Sequence, residues 1–379
     1  MCARPAEAPF ASLLGVPTHP NVLLPTAAEA VAVPRADVAL SLCRGCGLIW
    51  NTRFDPRVLT YDAEYENSLH FSAEFNRYAD ELVDQLIARH DLAGGHVAEL
   101  GSGKGEFLAQ LCERADCSGV GFDPSYDGES DGRADGRVRF VRELLGADSR
   151  LGPVTLVVTR HVLEHLEDPV GVLGVVRRSL ADREATLYVE VPAAEYLLRE
   201  DAVWDVIYPH VTCFSAAALG ETLVRAGFHP LRHGYSFGGQ YLWMEASTQP
   251  PASASPPPRA APEELDVDAF SARLAEKKEF WDERLKRLVA EGPVALWGAG
   301  AKGATFLNVV AGGEAIDSVV DVNPRKAGRH VPGTGQRVIS PSSLAERDPR
   351  AVVVMNPVYA GEIEQSLRDF GIAAEVVVA

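Results

Sequence analysis

The chain is poor in positive charge, and this scarcity limits the partners that it can bind. The sequence has 36 lysines and arginines against 53 aspartates and glutamates, which gives a formal net charge of −17 at pH 7. A nucleic acid or an anionic membrane would be repelled unless the basic residues formed one patch, and the sequence shows no such patch. We therefore expect a small-molecule substrate, and neither nucleic acid nor membrane, as the partner.

Long apolar segments and cysteines are also scarce. No stretch reaches the roughly 18 to 20 apolar residues that a membrane helix needs. The first residues, MCARPAEAPF, lack the charged-then-apolar order of a signal peptide, so we expect a cytoplasmic protein. Six cysteines in 379 residues argue against a disulfide scaffold and favour reduced thiols, two of them in a CxxC pair suited to a metal.

The length predicts two or three domains, because 379 residues exceed one compact core. A segment rich in proline and small residues, from Ser247 to Glu264, predicts an extended linker. A helix is predicted from about Ala73 to His90, and a second helix follows the linker. The apolar residues at helical spacing are Phe75, Tyr78, Leu82 and Leu86 in the first helix, and Phe270, Leu274, Trp281, Leu285 and Leu288 in the second.

The most informative segment is VAELGSGKGEFLAQL, residues 97–111, in which an apolar strand meets a helix through a glycine-rich turn. Glu99 places a carboxylate at the strand end, where doubly wound sheets bind ligands, and Phe107 lies on the helix. The ExGxGxG spacing suits a ligand with a cationic amino acid portion better than GxGxxG, which cradles a pyrophosphate. The pattern resembles motif I of S-adenosylmethionine (SAM) methyltransferases. Its glycines are Gly101, Gly103 and Gly105.

Two further strands extend the predicted cofactor site. CSGVGFDPSY ends in Asp123, followed by Pro124, about 20 residues after the glycine turn, which is the position of a ribose-binding acid. LVVTRHVLEHLEDP supplies the next strand and loop. Arg160 and His161 stand at the end of that strand, where side chains line the ligand crevice. We therefore expect them either to face the cofactor or to have a structural role.

The first roughly 60 residues contain Cys43 and Cys46 in LSLCRGCGLIWN. Such a knuckle, with a glycine after the second cysteine, is typical of half of a structural zinc site. Cys2 and His19 are the candidates for the remaining ligands, although a second CxxC is absent because Pro5 stands three positions after Cys2. The alternative is that the metal has been lost and the cysteines only pack.

Together these blocks resemble the bacterial sugar C-methyltransferase family, on the segments CRGCGL, ELGSGKGEFL, WGAGAKGATFLN and SVVDVNPRKAGRHVPGTG. The resemblance implies an α/β fold in which a class I SAM methyltransferase Rossmann-like domain is flanked by a small N-terminal zinc-binding domain and a C-terminal Rossmann-like α/β domain. The expected order is a zinc-binding domain (1–62), a methyltransferase domain (63–247), a Pro-rich linker (248–264) and a substrate- or nucleotide-binding domain (265–379). It also implies SAM and structural Zn²⁺ as cofactors, and C-methylation of a dTDP-type keto-deoxysugar or a related natural-product intermediate.

The resemblance extends to catalytic residues. The family has a Y-x-E-H stretch ahead of FS, and this chain has DVIYPHVTCFS, so His210 matches the family histidine while Pro209 and Ile207 stand at the glutamate and tyrosine positions. Histidine suits the base that forms an enolate near neutral pH. Tyr208 replaces the tyrosine by a shift of register, and His165 matches the second family histidine or only caps or packs.

The loop TYDAEYENSLHFS lies where the family keeps an active-site tyrosine, and Tyr65 is our candidate. The same loop also predicts a helix cap at Ser72. It departs from the YxYFSS pattern of the family. This departure, with the missing glutamate, indicates a sister group with another substrate.

The C-terminal segment WGAGAKG, residues 297–303, predicts a helix start whose amides hold a phosphate, with Lys302 as counter-charge. Residues at the ends of later strands would converge on the same crevice. The alternative is a degenerate half that only packs against the SAM domain. The substrate-binding candidates are Gly298, Gly300, Lys302, Asp321, Asn323, Asn356 and Tyr359.

Other functions remain compatible with the sequence. O- or N-methylation of a small natural product would tolerate the missing glutamate. Two Rossmann-like turns also suggest a nicotinamide-dependent oxidoreductase, which the ExGxGxG spacing disfavours. A non-catalytic SAM-fold ligand-binding protein is the last alternative. The acceptor, the methylated atom and the oligomeric state stay open.

Overall fold

The structure is a computed structural model that describes residues 7–58, 68–128, 131–133, 136–146, 148–181, 183–250 and 265–379. Three parts of the predictions, namely Cys2, Tyr65 and residues 251–264 of the expected linker, lie outside the described residues.

Helices and strands alternate through most of the described chain. The helices are α1 (Ala27–Val31), α2 (Ala73–Arg89), α3 (Glu106–Ala115), α4 (Pro169–Ser179), α5 (Ala194–Arg199), α6 (Ala216–Arg225), α7 (Val267–Glu291), α8 (Ala301–Val309) and α9 (Ala360–Asp369). The strands are β1 (Ala11–Pro17), β2 (Arg35–Leu42), β3 (Ile49–Asn51), β4 (His96–Leu100), β5 (Ser118–Phe122), β6 (Asp131–Arg133), β7 (Val138–Val141), β8 (Leu156–Arg160), β9 (Thr186–Pro192), β10 (Thr212–Cys213), β11 (His229–Ser236), β12 (Tyr241–Ser247), β13 (Val294–Trp297), β14 (Ser318–Val320), β15 (Val338–Ile339), β16 (Ala351–Val354) and β17 (Glu375–Val378).

The central sheet has the order β11-β12-β9-β8-β4-β5-β7-β6 among the described strands. Strands β7, β5, β4, β8 and β9 run parallel, and β12 enters antiparallel between β9 and β11. Helices cover both faces of such a sheet, which is why β8 is buried along its whole length and shows no polar alternation. This order confirms the α/β fold class expected for the central domain.

The C-terminal sheet is parallel, with the order β15-β14-β13-β16-β17. The long helix α7 precedes it, and Phe270, Trp281, Leu285 and Leu288 of that helix are buried. Leu274 packs at the edge of the same core. A second, smaller α/β unit therefore follows the central one, as expected.

The N-terminal sheet is antiparallel and joins a strand from the central part of the chain. Its order is β1-β2-β3-β10, and β10 begins two residues after His210. The backbone N–H of Asn51 donates to the carbonyl oxygen of Val211 at 2.8 Å. The first block thus fixes the backbone that carries His210.

One hydrophobic core connects the N-terminal sheet, residues 194–208 and the C-terminal unit. The ring of Trp204 meets Phe306 of α8 edge to face, with ring centroids 4.9 Å apart, and Trp281 of α7 meets the same phenylalanine at 5.1 Å. This packing brings the carboxyl ends of β4 and β13 to one cavity. Within the described part of the chain, no helix has both the length and the apolar character needed to cross a membrane.

Candidate functional site

A cavity of about 880 Å³ lies between the central and the C-terminal sheets. It is lined from one side by the turn after β4 and by Asp123, and from the other by Gly298, Lys302 and Asn356. The structure therefore brings the predicted cofactor residues, except Gly105, and the predicted substrate residues to one site. A cavity of this size can take two ligands of small-molecule dimensions.

The turn after β4 requires glycine for two reasons. Gly101, Gly103 and Gly105 have φ of +72°, +52° and +80°, a region that side chains with Cβ rarely adopt. In addition, a Cβ on Gly101 would lie 2.1 Å from the side chain of Val162, and one on Gly105 would lie 2.4 Å from the ring of Phe140. Both clashes are with the protein itself, so glycine is needed at these two positions for packing as well as for backbone conformation.

Asp123 stands at the end of β5 and is held in place by its neighbours. One carboxylate oxygen accepts the Gly103 N–H at 2.7 Å. The other accepts the Ser125 N–H at 2.7 Å and the Ser125 hydroxyl at 2.6 Å. Each carboxylate oxygen can accept more than one hydrogen bond, so the oriented carboxylate retains acceptor capacity for the ribose hydroxyls of SAM. Pro124 lines the same part of the cavity.

Glu99 is buried at the end of β4, and burial raises the pKa of its carboxyl to about 8, although Arg160 acts in the opposite direction. Its Oε2 has no hydrogen-bond partner among the described residues. Arg160 lies over the ring of Phe107, 4.4 Å from the centroid. An orphaned carboxyl oxygen in a cavity wall fits a cationic ligand such as SAM.

Sequence reasoning missed Glu190, which organises this wall from β9. Its carboxylate accepts from Arg160 Nε at 2.9 Å, from the Tyr188 hydroxyl at 3.0 Å and from the Tyr78 hydroxyl. Burial acts to raise the pKa of Glu190, but Arg160 and His161 outweigh it and lower the pKa to about 2. The sequence feature that could have identified Glu190 is that it is a lone glutamate inside the apolar strand TLYVEVP.

His161 is held between two carboxylates. Its Nε2 lies 3.3 Å from Glu190, and its Nδ1 lies 3.6 Å from Glu164. Burial disfavours the charged ring, yet these carboxylates raise the pKa of His161 to about 9. With φ of +55°, the backbone of His161 adopts a conformation uncommon for a residue other than glycine.

His165 and His210 lie side by side in the cavity, with ring centroids 5.0 Å apart. The Nδ1–H of His165 donates to the carbonyl oxygen of Pro209 at 3.1 Å. Burial lowers the pKa of His210 to about 3 and also lowers the pKa of His165. Both rings are neutral near pH 7, which is the state that a general base requires.

Glu164 is a second residue that sequence reasoning missed. It is 1% exposed, and an oxygen or nitrogen atom from each of Glu164, His165 and His210 lies within 4.8 Å of the others. Burial would raise the pKa of Glu164, but the His161 hydrogen bond and the neighbouring histidines lower it. The sequence feature that could have identified Glu164 is the HxxEH pattern in HVLEHLED.

The structure corrects the prediction for Tyr208. Its hydroxyl accepts the Asp55 N–H at 2.8 Å, and its ring stacks on Phe54 with centroids 5.6 Å apart. Tyr208 is fully buried against the N-terminal block and is not among the residues that line the cavity. It is therefore not placed to act on a substrate.

All the predicted substrate residues line the cavity. Lys302 Nζ lies 2.9 Å from Asp205 and 3.0 Å from Gln240, so it contacts the central domain directly. The side-chain amides of Gln240 and Asn356 exchange two hydrogen bonds of 2.9 Å. The ring of Tyr359 lies 5.7 Å from Phe237.

The carboxylate of Asp321 bonds to two backbone N–H groups and to Lys326. Its Oδ2 accepts the Ala299 N–H at 2.9 Å and pairs with Lys326 Nζ at 3.0 Å, while its Oδ1 accepts the Asn323 N–H at 2.9 Å. These bonds shape the turn between β13 and α8, where Gly298 has φ of +117° and Gly300 is the residue before the helix. The side chain of Asn323 in turn accepts the N–H of Arg325.

The zinc candidates occupy the N-terminal block. Cys43 and Cys46 lie on the turn between β2 and β3, where the Gly47 N–H donates to the Cys43 carbonyl oxygen at 2.7 Å. His19 Nδ1 lies 2.9 Å from the Thr18 hydroxyl. Within the described residues, His19, Cys43 and Cys46 do not meet as a set of three ligands.

Two family models match consecutive parts of the chain. Residues 71–233 match the family model of a methyltransferase domain, and residues 263–378 match that of a C-methyltransferase C-terminal domain. No curated protein matched the chain.

Several solved methyltransferase structures are similar to part of the chain. N,N-8-amino-8-demethyl-D-riboflavin dimethyltransferase from Streptomyces davawensis is 20% identical, with 46% of this chain and 54% of that chain covered, so this chain spans about half of its length, and the TM-score is 0.38. Magnesium protoporphyrin IX methyltransferase from Synechocystis PCC 6803 is 19% identical over 48% of this chain and 89% of that one, at a TM-score of 0.37. A SAM-dependent methyltransferase from Aquifex aeolicus is 13% identical, with 45% of this chain and 89% of that chain covered, and the TM-score is 0.34.

Most of the residues that line the cavity lie within the ranges that the two family models match. Because both models describe methyltransferases, they argue against the oxidoreductase alternative. The chain therefore contains a methyltransferase domain that is followed by a C-methyltransferase C-terminal domain.

Proposed function

We propose that this enzyme methylates a carbon atom of a nucleotide-activated keto-deoxysugar of the dTDP type, or of a related natural-product intermediate. The observation that carries the proposal is the shared cavity. His210 lies in it, between the glycine turn of the methyltransferase domain and the residues contributed by the C-terminal domain.

The residues present suit the removal of a proton from carbon. A carbon next to a ketone becomes nucleophilic as an enolate, and a neutral imidazole can take its proton. His210 is such an imidazole, and His165 lies beside it. SAM supplies the electrophilic methyl group when it is bound. The turn after β4 and Asp123 would hold it, with Glu99, Phe107 and Arg160 in the adjoining wall.

The C-terminal wall suits the nucleotide part of the acceptor. Helix α8 begins at Ala301, and residues 300–303 at this end of the helix line the cavity. The N–H groups at a helix start favour a phosphate. Lys302 supplies a positive charge on the same wall. Asn356 and Tyr359 would contact the base or the ribose.

Methylation of oxygen or nitrogen is the second candidate, and one observation favours it. Pro209 stands where the related family has a glutamate, and burial makes His210 a weak base with a pKa of about 3. A hydroxyl or an amine placed in line with the methyl group needs less help from a base.

We further propose that the chain divides at residues 62, 247 and 264, and that Cys43 and Cys46 bind a structural Zn²⁺. The separate N-terminal, central and C-terminal sheets support the division. The tight turn that carries both cysteines supports the metal. A metal analysis of the purified chain, with Cys43→Ser and Cys46→Ser as comparison, tests the second point.

The test of the function is incubation with methyl-labelled SAM and a panel of dTDP-4-keto-6-deoxysugars, followed by NMR of the product. A labelled methyl group bonded to carbon supports the proposal, and one bonded to oxygen or nitrogen supports the second candidate. In D₂O with S-adenosylhomocysteine, the parent should also exchange the proton next to the ketone, and His210→Gln should not. Absence of both transfer and exchange would contradict C-methylation.

A further inference from the structure

The carboxylate of Glu164 lies beside His165 and His210, and Pro209 immediately precedes His210 in the sequence. In the related family a glutamate stands immediately before the catalytic histidine, whereas here the corresponding side chain cannot ionise. The residue immediately before His210 therefore carries no charge of opposite sign to a protonated histidine. Glu164 supplies that charge from the loop after β8.

Glu164 is fixed against the His210 segment by its own backbone. Its carbonyl oxygen accepts the Val211 N–H at 2.7 Å, and the carbonyl of the neighbouring Leu163 accepts the Thr212 hydroxyl at 3.4 Å. The two segments therefore run side by side. A side-chain atom of Glu164 lies within 4.8 Å of a ring nitrogen of His210 as a consequence.

The side chain of Glu164 is buried and incompletely satisfied. It lines the cavity, and its Oε2 has no hydrogen-bond partner among the described residues. The other oxygen, Oε1, lies 3.6 Å from His161 Nδ1. A buried carboxylate oxygen without a partner is costly, so such an atom marks a place where a donor is expected during function. A histidine ring that takes up a proton becomes that donor.

The main-chain carbonyl oxygen of Pro209 orients the ring of His165 by accepting its Nδ1–H. A carbonyl oxygen can only accept, so the proton of His165 lies on Nδ1 and the Nε2 of the neutral ring carries the lone pair. His165 is thus oriented by the backbone, and Glu164 is an acidic side chain with an oxygen within 4.8 Å of a ring nitrogen of each histidine. On the other sides the cluster faces His161 with Glu190, Lys302 with Asp205, and Cys213.

We infer that Glu164 is a positioning residue that stabilises the protonated His210 during proton abstraction, in place of the carboxylate absent at Pro209. The inference rests on the proposed function. In this step the C–H bond next to the ketone breaks, its proton moves to the imidazole of His210, and the electron pair stays on the substrate as the enolate. Glu164 remains ionised throughout and holds the ring in place.

The test compares Glu164→Gln with Glu167→Gln, an exposed glutamate on the same loop. We expect Glu164→Gln to lower kcat and the rate of deuterium exchange next to the ketone about 100-fold, because positioned acid–base groups contribute on that order. The affinity for S-adenosylhomocysteine, measured by calorimetry, should not change. Glu164→Asp should restore part of kcat, and Glu167→Gln should match the parent.

The pH profile separates this role from a structural one. Without the carboxylate, the protonated ring is less stable, so the acidic limb of the kcat profile should move to lower pH in Glu164→Gln. An unchanged limb with unchanged kcat would overturn the inference and leave the proposed function intact. Loss of activity on chelation, with recovery on adding Mn²⁺, would also overturn it, because the three side chains would then hold an ion. No turnover or exchange by the parent on any keto-sugar would overturn both.

Discussion

At the scale of single residues, the site depends on carboxylates whose surroundings differ. Asp123 is partly accessible and accepts three hydrogen bonds from the protein, whereas Glu99 is buried with one orphaned oxygen. Glu190 stays ionised because it pairs with Arg160 and His161. The three carboxylates therefore differ in exposure and in the groups with which they pair.

Asp123→Ala should weaken SAM binding by about 2 to 3 kcal/mol, because charge-assisted hydrogen bonds to the ribose hydroxyls are lost. Isothermal titration calorimetry measures the effect, and Asp91→Ala, at an exposed position before β4, is the control. Asp123→Asn keeps the side-chain shape and should lose less. Equal SAM affinity in Asp123→Ala and the parent would contradict the assignment.

The raised pKa of Glu99, about 8, predicts a pH dependence of SAM binding. Below this pKa the carboxyl is protonated in the protein without ligand, and a cationic ligand favours its ionised form. Binding should therefore release a proton, and affinity should rise with pH by up to tenfold per unit between about pH 6 and 7.5. Calorimetry in buffers of different ionisation enthalpy measures the released proton. Glu99→Gln should show neither the release nor this slope, and a slope that persists would exclude Glu99 as its source.

At the scale of elements, the turn between β4 and α3 and the start of α2 decide the shape of the cavity. The turn is tight because three glycines adopt positive φ. Helix α2 begins at Ala73, where Ser72 accepts the Phe75 N–H at 3.2 Å, as the sequence predicted. The glycine turn lines the cavity, and so does residue 72 just before the helix.

Gly101→Ala should lower the free energy of unfolding by about 2 to 4 kcal/mol, since it combines backbone strain with a clash against Val162. Gly94→Ala is the matched control, because Gly94 has φ of +67° but no atom within 4 Å of the added Cβ. Chemical denaturation of both variants separates the clash from the strain. If the two variants lose equal stability, the contact with Val162 has no energetic weight.

Helix α2 has a further cap from the other domain. Glu362 of α9 accepts the Ser72 hydroxyl at 2.6 Å, the Ala73 N–H at 3.0 Å and the Glu74 N–H at 3.2 Å. Glu362→Ala should cost about 1 to 2 kcal/mol of stability. It should also raise the KM for SAM, because residues 68–72 line the cavity. Glu364→Ala, on an exposed position of α9, should change neither quantity, and a loss as large as that of Glu362→Ala would show that the cap is not responsible.

At the scale of the whole molecule, the central and C-terminal sheets form opposite walls of one cavity. The N-terminal sheet bonds to the backbone next to His210. Lys302 crosses from the C-terminal wall to Asp205 and Gln240 of the central domain. The proposed function assigns the two ligands to different walls of this common cavity. Substitutions on one wall should therefore affect one ligand more than the other.

Lys302→Ala should raise the KM for the acceptor while leaving the affinity for SAM unchanged, because the lysine lies on the wall opposite Asp123. Steady-state kinetics with varied acceptor and calorimetry with SAM measure the two effects. Lys286→Ala, exposed on α7, is the control. Parent-like kinetics in Lys302→Ala would favour an acceptor without a phosphate.

Local sequence determined the features that depend on neighbouring residues. The glycine turn, the acid after β5, the cap of α2 and the apolar spacing of α7 each follow from backbone geometry or periodicity within one segment. The α/β fold class followed from the family resemblance that such segments carry. In contrast, the roles of Tyr208, Glu190 and Glu164 depend on which distant residues they meet. Tyr208 stands next to Pro209 in the sequence, but tertiary packing turns its hydroxyl to Asp55. Glu164 and His210 are far apart in the chain, and the pairing of the loop after β8 with the strand after His210 places them together. Burial and charge pairing are properties of the assembled cavity, so only the tertiary structure decided which of these side chains stays ionised beside the substrate.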